Sequence, residues 1–298
     1  MSDSLKGWVV AVVGGDLRMV EHMRQARAAG AVVQHYGSVP GSEEAAGCPA
    51  APSFAAAIKG ARIISCPIPG VGTDDALYTG FTKEKLFCTT EILSTAAEGA
   101  MLFSGRITPR MHEWAKGTPV AMISYGEDDP LAILHAVPTA EGAIKVAIEN
   151  TETTLLGLNT LCIGLGRVGM SVAQAFEGMK AKVTLAARNP SQLARAWAMN
   201  TTPLALKDLG ARIGEFPLIV SSASGLVLTR DILEKVDPKA LIIDLCSPPG
   251  SVDFPAAEAL GLKVIWARAQ AGTAPRTAGY NEWQVMMRIV RERGHDLV

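Results

Sequence analysis

The sequence predicts an α/β protein built of two doubly wound parallel-sheet domains, and three observations carry that reading. The chain has 298 residues, too many for one ordinary domain and enough for two of roughly 150, each able to bury its own core. Short β-rich runs alternate with longer amphipathic stretches, as parallel strands joined by crossover helices require. The strand–glycine turn–helix unit occurs twice, once near the start at Val9–Arg18 and again at Thr160–Met179.

The first unit reads as a strand over Trp8–Val13, a Gly14-Gly15-Asp16 turn, a helix over Leu17–Ala29 and a strand over Ala31–Tyr36. Gly37–Ser53, rich in Gly, Pro, Ser and Ala, reads as a loop. Further strands are expected at Arg62–Cys66, Leu86–Thr89, Ala100–Phe103 and Val120–Ile123. Pro138–Asn150 has helical periodicity, and a proline suits a helix start because its missing N–H costs nothing there. A second βαβ unit then begins with Thr160–Gly164 (strand), Arg167–Met179 (helix) and Lys182–Ala187 (strand). Later strands follow at Leu218–Ser221, Leu241–Leu245 and Lys263–Trp266. The last helix, about Thr277–Arg293 after Pro275, carries the apolar stripe Trp283, Val285, Met286, Ile289 and Val290. The expected organisation is an N-terminal substrate domain over 1–137, a hinge helix over 138–150, a nucleotide-binding domain over 151–276 and a C-terminal helix over 277–298. That helix would pack back on the first domain, and a cleft would separate the two domains.

Charged residues make up 19% against 48% hydrophobic, with a net charge of −1, so the chain is neither disordered in composition nor marked by a basic stripe for nucleic acid. Met1-Ser2-Asp3-Ser4-Leu5-Lys6 has no apolar region behind a basic start, so no secretory signal is expected. No uninterrupted apolar run reaches the roughly eighteen residues that span a bilayer. The expectation is a cytoplasmic protein. Cys48, Cys66, Cys88, Cys162 and Cys246 stand singly without C-x-x-C spacing, so small buried thiols are expected and no metal site.

Gly164-Leu165-Gly166-Arg167-Val168-Gly169 is the most informative segment. A bare G-x-G-x-x-G is weak, but here an apolar strand precedes it and an amphipathic helix follows at once. Gly164 allows the tight turn, Gly166 the approach of a pyrophosphate and Gly169 close helix–strand packing. The phosphates would meet unpaired N–H groups at the helix N-terminus. The next strand ends in Ala186-Ala187-Arg188-Asn189, without the carboxylate that would bind the ribose hydroxyls of NAD. Arg188 can instead fork onto a 2′-phosphate, with Asn189 and Ser191 as neutral donors, so NADP(H) is expected. The alternative is that Arg188 is a solvated surface charge. The earlier Gly14-Gly15-Asp16-Leu17-Arg18 turn lacks the third glycine, and Asp16 would crowd a phosphate. It reads as a Rossmann-like relative that no longer holds a nucleotide.

Ligands of such domains bind at the carboxyl ends of the strands. The loops expected there are Gly14–Arg18, Pro67–Thr73, Ser104–Arg106, His135–Gly142, Cys246–Gly250 and Gln270–Gly279. Thr139, Thr273 and Thr277 have caps as their alternative role, and Glu141 that of favouring a helix N-terminus. Of His22, His35, His112, His135 and His295, only His135 falls near the expected cleft.

A family resemblance is carried by several further runs. Val12–Arg18, Phe103-Ser104-Gly105, Val137-Pro138-Thr139-Ala140-Glu141-Gly142-Ala143-Ile144, Gly164–Met170, Ile243-Asp244-Leu245 and Ala274-Pro275-Arg276-Thr277-Ala278-Gly279 occur in that order. Together they resemble the family of dipicolinate synthase A subunits over nearly the whole length. The resemblance implies an NADP-dependent dehydrogenation of a dihydrodipicolinate, or hydroxy-tetrahydrodipicolinate, to pyridine-2,6-dicarboxylate. It further implies the lysine/diaminopimelate pathway branch, the mother cell during sporulation, partnership with a flavoprotein B subunit, and an oligomer. Three departures bear on the carboxylate-binding set: Pro248 where a basic residue is expected, Arg276 in place of lysine, and His135 in place of asparagine.

A cyclic dicarboxylate needs donors at both ends, and Arg18, Arg106 and Arg276 lie on candidate loops with Ser104, Gly105 and Thr139. Ser104, Thr139 and Arg276 are expected to orient the substrate, and Glu141 or His135 to take the proton, directly or through water. Two rivals are open. A 2-hydroxy-acid dehydrogenase would place a histidine ahead of the final helix, and Trp266–Gly279 has none. An NADP-binding regulatory subunit would bind nucleotide without turnover.

Overall fold

The computed structural model describes residues 4–294, so Met1–Asp3 of the starting segment and His295 lie outside the described residues. The chain divides into two compact units. One runs to Ala132 and resumes at Ala274; the other is Ile133–Thr273. Each is a parallel sheet flanked by helices, the expected Rossmann-like α/β class.

The first unit contains β1 (Val9–Val13), α1 (Arg18–Ala28), β2 (Val32–Tyr36), the short helices α2 (Ser42–Ala46) and α3 (Phe54–Ile58), β3 (Ile63–Ser65), α4 (Thr90–Leu93), β4 (Ala100–Ser104), α5 (Pro109–Ala115) and β5 (Val120–Ser124). Its sheet order is β2-β1-β3-β4-β5, all parallel. The direction of winding reverses between β1 and β3, and such a switch point opens a crevice at the strands' carboxyl ends. Val10–Val13 are all buried, because a central parallel strand is covered on both faces.

Helix α6 (Asp129–Asn150) leads from the first unit into the second. The second unit follows with β6 (Asn159–Ile163), α7 (Arg167–Gly178), β7 (Lys182–Ala187), α8 (Pro190–Ala198), β8 (Thr202–Ala205), α9 (Leu209–Arg212), β9 (Leu218–Ser221), α10 (Arg230–Leu233), β10 (Leu241–Asp244), α11 (Phe254–Ala259) and β11 (Lys263–Trp266). Its order, β11-β10-β9-β6-β7-β8, is that of a dinucleotide-binding sheet, with the switch between β6 and β9. The final helix, α12 (Pro275–Glu292), returns to the first unit. Its Trp283, Val285, Met286 and Val290 join the core formed by Val10, Val12, Met19 and Met23.

Three expectations are corrected. The hinge helix starts at Asp129, not Pro138, because Asp128 Oδ1 accepts the Leu131 N–H at 3.0 Å and caps the helix nine residues earlier. Pro138 therefore lies inside α6, where it withholds the N–H that would reach Leu134. Leu86–Thr89 is not a strand. Leu86 and Cys88 are buried against the core, but the segment joins no ladder, and Leu86 O accepts from Leu77 N–H at 2.8 Å. The Gly37–Ser53 loop contains α2. Strand β8 was not expected from the sequence; its Pro203 is tolerated because the strand is at the sheet edge.

By length and composition α6 could cross a membrane. It carries Glu141, Lys145 and Glu149, while its Ala140, Ala143 and Ala147 are buried in the core of the second unit. That is how a core helix packs.

Candidate functional site

In the second unit the glycine segment forms the turn from β6 into α7. Gly164 has φ +98°, a conformation that side chains resist, and a Cβ there would lie 3.1 Å from Ala223 N and Ser222 Oγ. A Cβ on Gly169 would lie 2.1 Å from Gly164 O, so only glycine lets α7 pack this closely on its own turn. A Cβ on Gly166 would meet nothing within 4 Å. That side is open to a ligand. Gly166 is the N-cap of α7 and no side chain caps the helix, which leaves its first N–H groups directed outward. Leu165 is buried, Val168 half-buried and Arg167 exposed at the first helical position.

Arg188 follows the last residue of β7 and is exposed, with one long contact from Nη2 to Ser224 O at 3.5 Å. Asn189 caps α8, its Oδ1 accepting from Gln192 N–H at 2.8 Å, so its oxygen is used locally. Ser191 is exposed in the first turn of α8. Two residues were missed by sequence reasoning. Ser222 braces the turn, its Oγ donating to Ile163 O at 3.3 Å, and Gln192 Nε2 reaches Leu165 O at 3.4 Å. The run Ser221-Ser222-Ala223-Ser224-Gly225 after an apolar strand was the signal for Ser222.

The same sheet edge holds a buried polar set beneath Cys246–Gly250. Asp244 is fully buried; its Oδ1 accepts from Cys246 N–H at 3.0 Å and its Oδ2 from Ser251 N–H at 2.7 Å. Ser251 Oγ lies 2.7 Å from Ser221 Oγ, tying this loop to β9. Burial, with Asp244 alongside, pushes the Cys246 thiol up to about 12, so it is no thiolate nucleophile near neutral pH.

Helix α6 places the His135–Gly142 residues. Thr139 does not cap a helix, since the helix begins ten residues earlier; its Oγ1 donates to His135 O at 2.8 Å. His135, Thr139 and Gly142 share one face at i, i+4 and i+7. A Cβ on Gly142 would lie 2.5 Å from Gln270 Oε1, so the glycine admits that side chain. Glu141 is exposed and, two residues from Thr139, projects from another side of the helix. The structure therefore does not bring Glu141 and His135 together.

In the first unit two of the residues expected to meet substrate are engaged by the protein itself. Arg18 is not a free cation for substrate. It is buried at the start of α1, its Nε and Nη2 fork onto Asp16 Oδ1 and Oδ2 at 2.9 and 2.8 Å, and its Nη1 donates to Glu282 Oε1 of α12 at 2.9 Å. Burial alone would lower the Arg18 pKa, but the Asp16 hydrogen bonds and the Glu282 charge hold it above its ordinary value. Ser104 ends β4 fully buried, and its hydroxyl donates to Arg106 O at 2.9 Å. A buried hydroxyl so used ties its own loop together.

Gly105 is likewise structural. A Cβ there would lie 1.7 Å from Ile68 O, so the loops after β3 and β4 touch backbone to backbone. Arg106 is exposed on that loop, and Arg276 is exposed in the first turn of α12. In the early glycine turn the chain itself takes up backbone donors. Gly15 N–H donates to Tyr78 O at 2.8 Å, Gly14 N–H to Tyr36 O at 2.9 Å, and Arg18 N–H to Asp16 Oδ1 at 3.1 Å. No cluster of His, Cys, Asp or Glu suited to a metal occurs among the described residues.

Residues 9–125 match the family model of the N-terminal domain of the dipicolinate synthase A subunit. The chain is 28% identical over 289 residues to the dipicolinate synthase A subunit of Bacillus subtilis (strain 168), covering 97% of each. It is 29% identical to the dipicolinate synthase A subunit from Bacillus halodurans in its crystal structure, with a TM-score of 0.85 over 96% of this chain and 99% of that one. The chain is thus similar to dipicolinate synthase A subunits over nearly its whole length. The crystal structure of the corresponding Bacillus subtilis protein agrees, at 27% identity and a TM-score of 0.84 over 98% of each chain. The Gly14–Arg18 turn and the Ser104 loop fall inside the matched N-terminal domain, and the Gly164 turn falls inside the whole-length likeness.

Proposed function

We propose that the protein is an NADP-dependent oxidoreductase that dehydrogenates a dihydrodipicolinate, supplied as such or by loss of water from its hydroxylated tetrahydro precursor, to pyridine-2,6-dicarboxylate. The observation that carries this reading is the uncapped, open-sided Gly166 turn at the switch point of the second sheet, in a chain similar over nearly its whole length to dipicolinate synthase A subunits. The first N–H groups of α7 would hold the pyrophosphate. Arg188, exposed where β7 ends and with no carboxylate beside it, would take the 2′-phosphate. Bound NADP supplies the hydride acceptor.

Arg106 and Arg276 are the exposed cations expected to meet the substrate carboxylates. Thr139, whose hydroxyl is back-bonded within α6, would act through the helix, not as a cap. His135 is the group suited to accept a proton, because Glu141 lies on another side of α6. Loss of hydride and proton makes the ring aromatic, so placement counts for more than base strength. Partnership with a flavoprotein B subunit, an oligomeric enzyme and a cytoplasmic setting in the sporulating mother cell belong to the same proposal.

An absorbance assay tests it, with freshly generated dihydrodipicolinate, NADP or NAD, and the protein with and without the B subunit. NADP reduction in step with pyridine-dicarboxylate formation is the expected result. NADP binding without any absorbance change under all these conditions would make the protein a nucleotide-binding regulatory subunit. Arg188→Ala should weaken NADP binding by about 10- to 100-fold and leave NAD binding nearly unchanged; equal effects on the two would remove Arg188 from the 2′-phosphate site.

A further inference from the structure

The two ends of a dinucleotide fall on opposite sides of a switch point. With the 2′-phosphate at Arg188 after β7 and the pyrophosphate at the start of α7, the nicotinamide end falls over β9, β10 and β11. These strands run parallel to β6, so the loops that follow them share its carboxyl edge. In those loops, residues 222–229, 245–253 and 267–273, Arg268 is the only Lys, Arg or His. Arg106 and Arg276, the cations named above for the substrate carboxylates, both belong to the first unit.

Arg268 is exposed, yet its place is fixed. Its Cζ lies over the Trp266 ring, 4.6 Å from the centroid. Trp266 is pinned in turn, its indole N–H donating to Cys246 O at 2.9 Å and its ring centroid 4.7 Å from that of Phe254. The arginine is thereby tied to the loop after β10, which carries no cation of its own. Its backbone is held as well. Ala269, next in the chain, has φ +57°, a left-handed conformation unfavourable for alanine, and Gly272 N–H closes the turn on Ala269 O at 3.0 Å. Gln270 Nε2 donates to Arg268 O at 3.4 Å, and the Gln270 side chain fills the space left by Gly142, on the α6 face that also carries His135 and Thr139.

A guanidinium lying on an aromatic face keeps N–H groups for an anion, and a side chain already held loses less freedom on binding. Among the described residues no carboxylate forms an ion pair with Arg268. We propose that Arg268, stacked on Trp266, binds a carboxylate of the ring dicarboxylate that lies against the nicotinamide. Trp266 is its positioning residue. The inference rests on the proposed dehydrogenation for the identity of the ligand. It gives the nucleotide-binding unit a forked, charge-assisted contact to the substrate as well as to the nucleotide.

Calorimetry on the full chain saturated with NADPH tests this, with pyridine-2,6-dicarboxylate and pyridine-2-carboxylate as probes that differ by one carboxylate. The wild type should bind the dicarboxylate more tightly. Arg268→Leu should lose about 10- to 100-fold in affinity for the dicarboxylate and less than about threefold for the monocarboxylate, at an unchanged NADPH affinity. Arg268→Lys, which keeps the charge without the fork, should fall between the two. Trp266→Leu should lower the preference for the dicarboxylate, and Trp266→Phe, which keeps an aromatic face, should restore most of it. Unchanged affinity of Arg268→Leu for the dicarboxylate, or an equal loss for both probes, would overturn the proposal. A matching loss for NADPH would do so too, by assigning Arg268 to the nucleotide, as would a wild type that binds no dicarboxylate. If the wild type binds both probes as expected but forms no pyridine-dicarboxylate from dihydrodipicolinate, the proposed reaction fails and Arg268 keeps its place.

Discussion

Asp16, Arg18 and Glu282 show what a buried charge asks of its neighbours. The Glu282 carboxylate is wholly removed from water, and it is sustained there by a guanidinium on one oxygen and an imidazole beside the other. The same guanidinium lowers the Asp16 carboxyl, so the folded chain binds a proton at Asp16 less readily than the unfolded chain. Asp16 therefore stabilises the fold at pH above the ordinary carboxylate range, about pH 4, and that contribution is lost as pH falls through its lowered value. Thermal midpoints measured from pH 7 down to pH 3 should fall less steeply in Asp16→Asn than in wild type. Parallel curves would show that Asp16 is not the group being titrated. Ser104 follows the same rule on a smaller scale: buried, its hydroxyl must donate, and Arg106 O is what it finds.

At the scale of elements, the glycines of the β6–α7 turn divide into two kinds. Gly169 is required by the protein, since a methyl group there would run into Gly164 O, while Gly166 faces open space. Gly169→Ala should lower the melting temperature and nucleotide affinity together. Gly166→Ala should melt like wild type yet bind NADP about tenfold or more weakly. Thermal melts beside nucleotide titrations check both, and a normal affinity for Gly166→Ala would mean that no phosphate approaches there. The β6–α7 turn was legible in the sequence because its geometry depends on three glycines within six residues, between an apolar strand and an amphipathic helix. Helix α6 was legible only in part. Its periodicity past Pro138 was visible, but the stop-and-start reading of that proline outweighed the earlier signal Asp128-Asp129-Pro130, a capping carboxylate followed by a first-turn proline.

On the scale of the whole molecule, the last helix belongs to the first unit although the second unit precedes it in the chain. Trp283, Met286, Met287 and Val290 complete that unit's core, and Glu282 completes its buried charge chain. Truncation after Thr273 should therefore cost the protein its first unit and spare the second. Near-ultraviolet circular dichroism should drop while NADP binding persists; a truncated chain that loses nucleotide binding with its other structure would mean that the units do not hold their folds separately.

The class of fold, both βαβ beginnings and the glycine turn after β6 can be read along the chain, because each is written in residues adjacent in sequence. The partners of Arg18, the use of the Ser104 hydroxyl, the brace of Ser222 behind Gly164 and the separation of Glu141 from His135 were decided only by tertiary structure. Arg18 and Glu282 are 264 positions apart. Charge and loop position mark such a residue as available for a ligand, but burial next to an opposite charge decides whether it is, and burial is a property of the packed molecule.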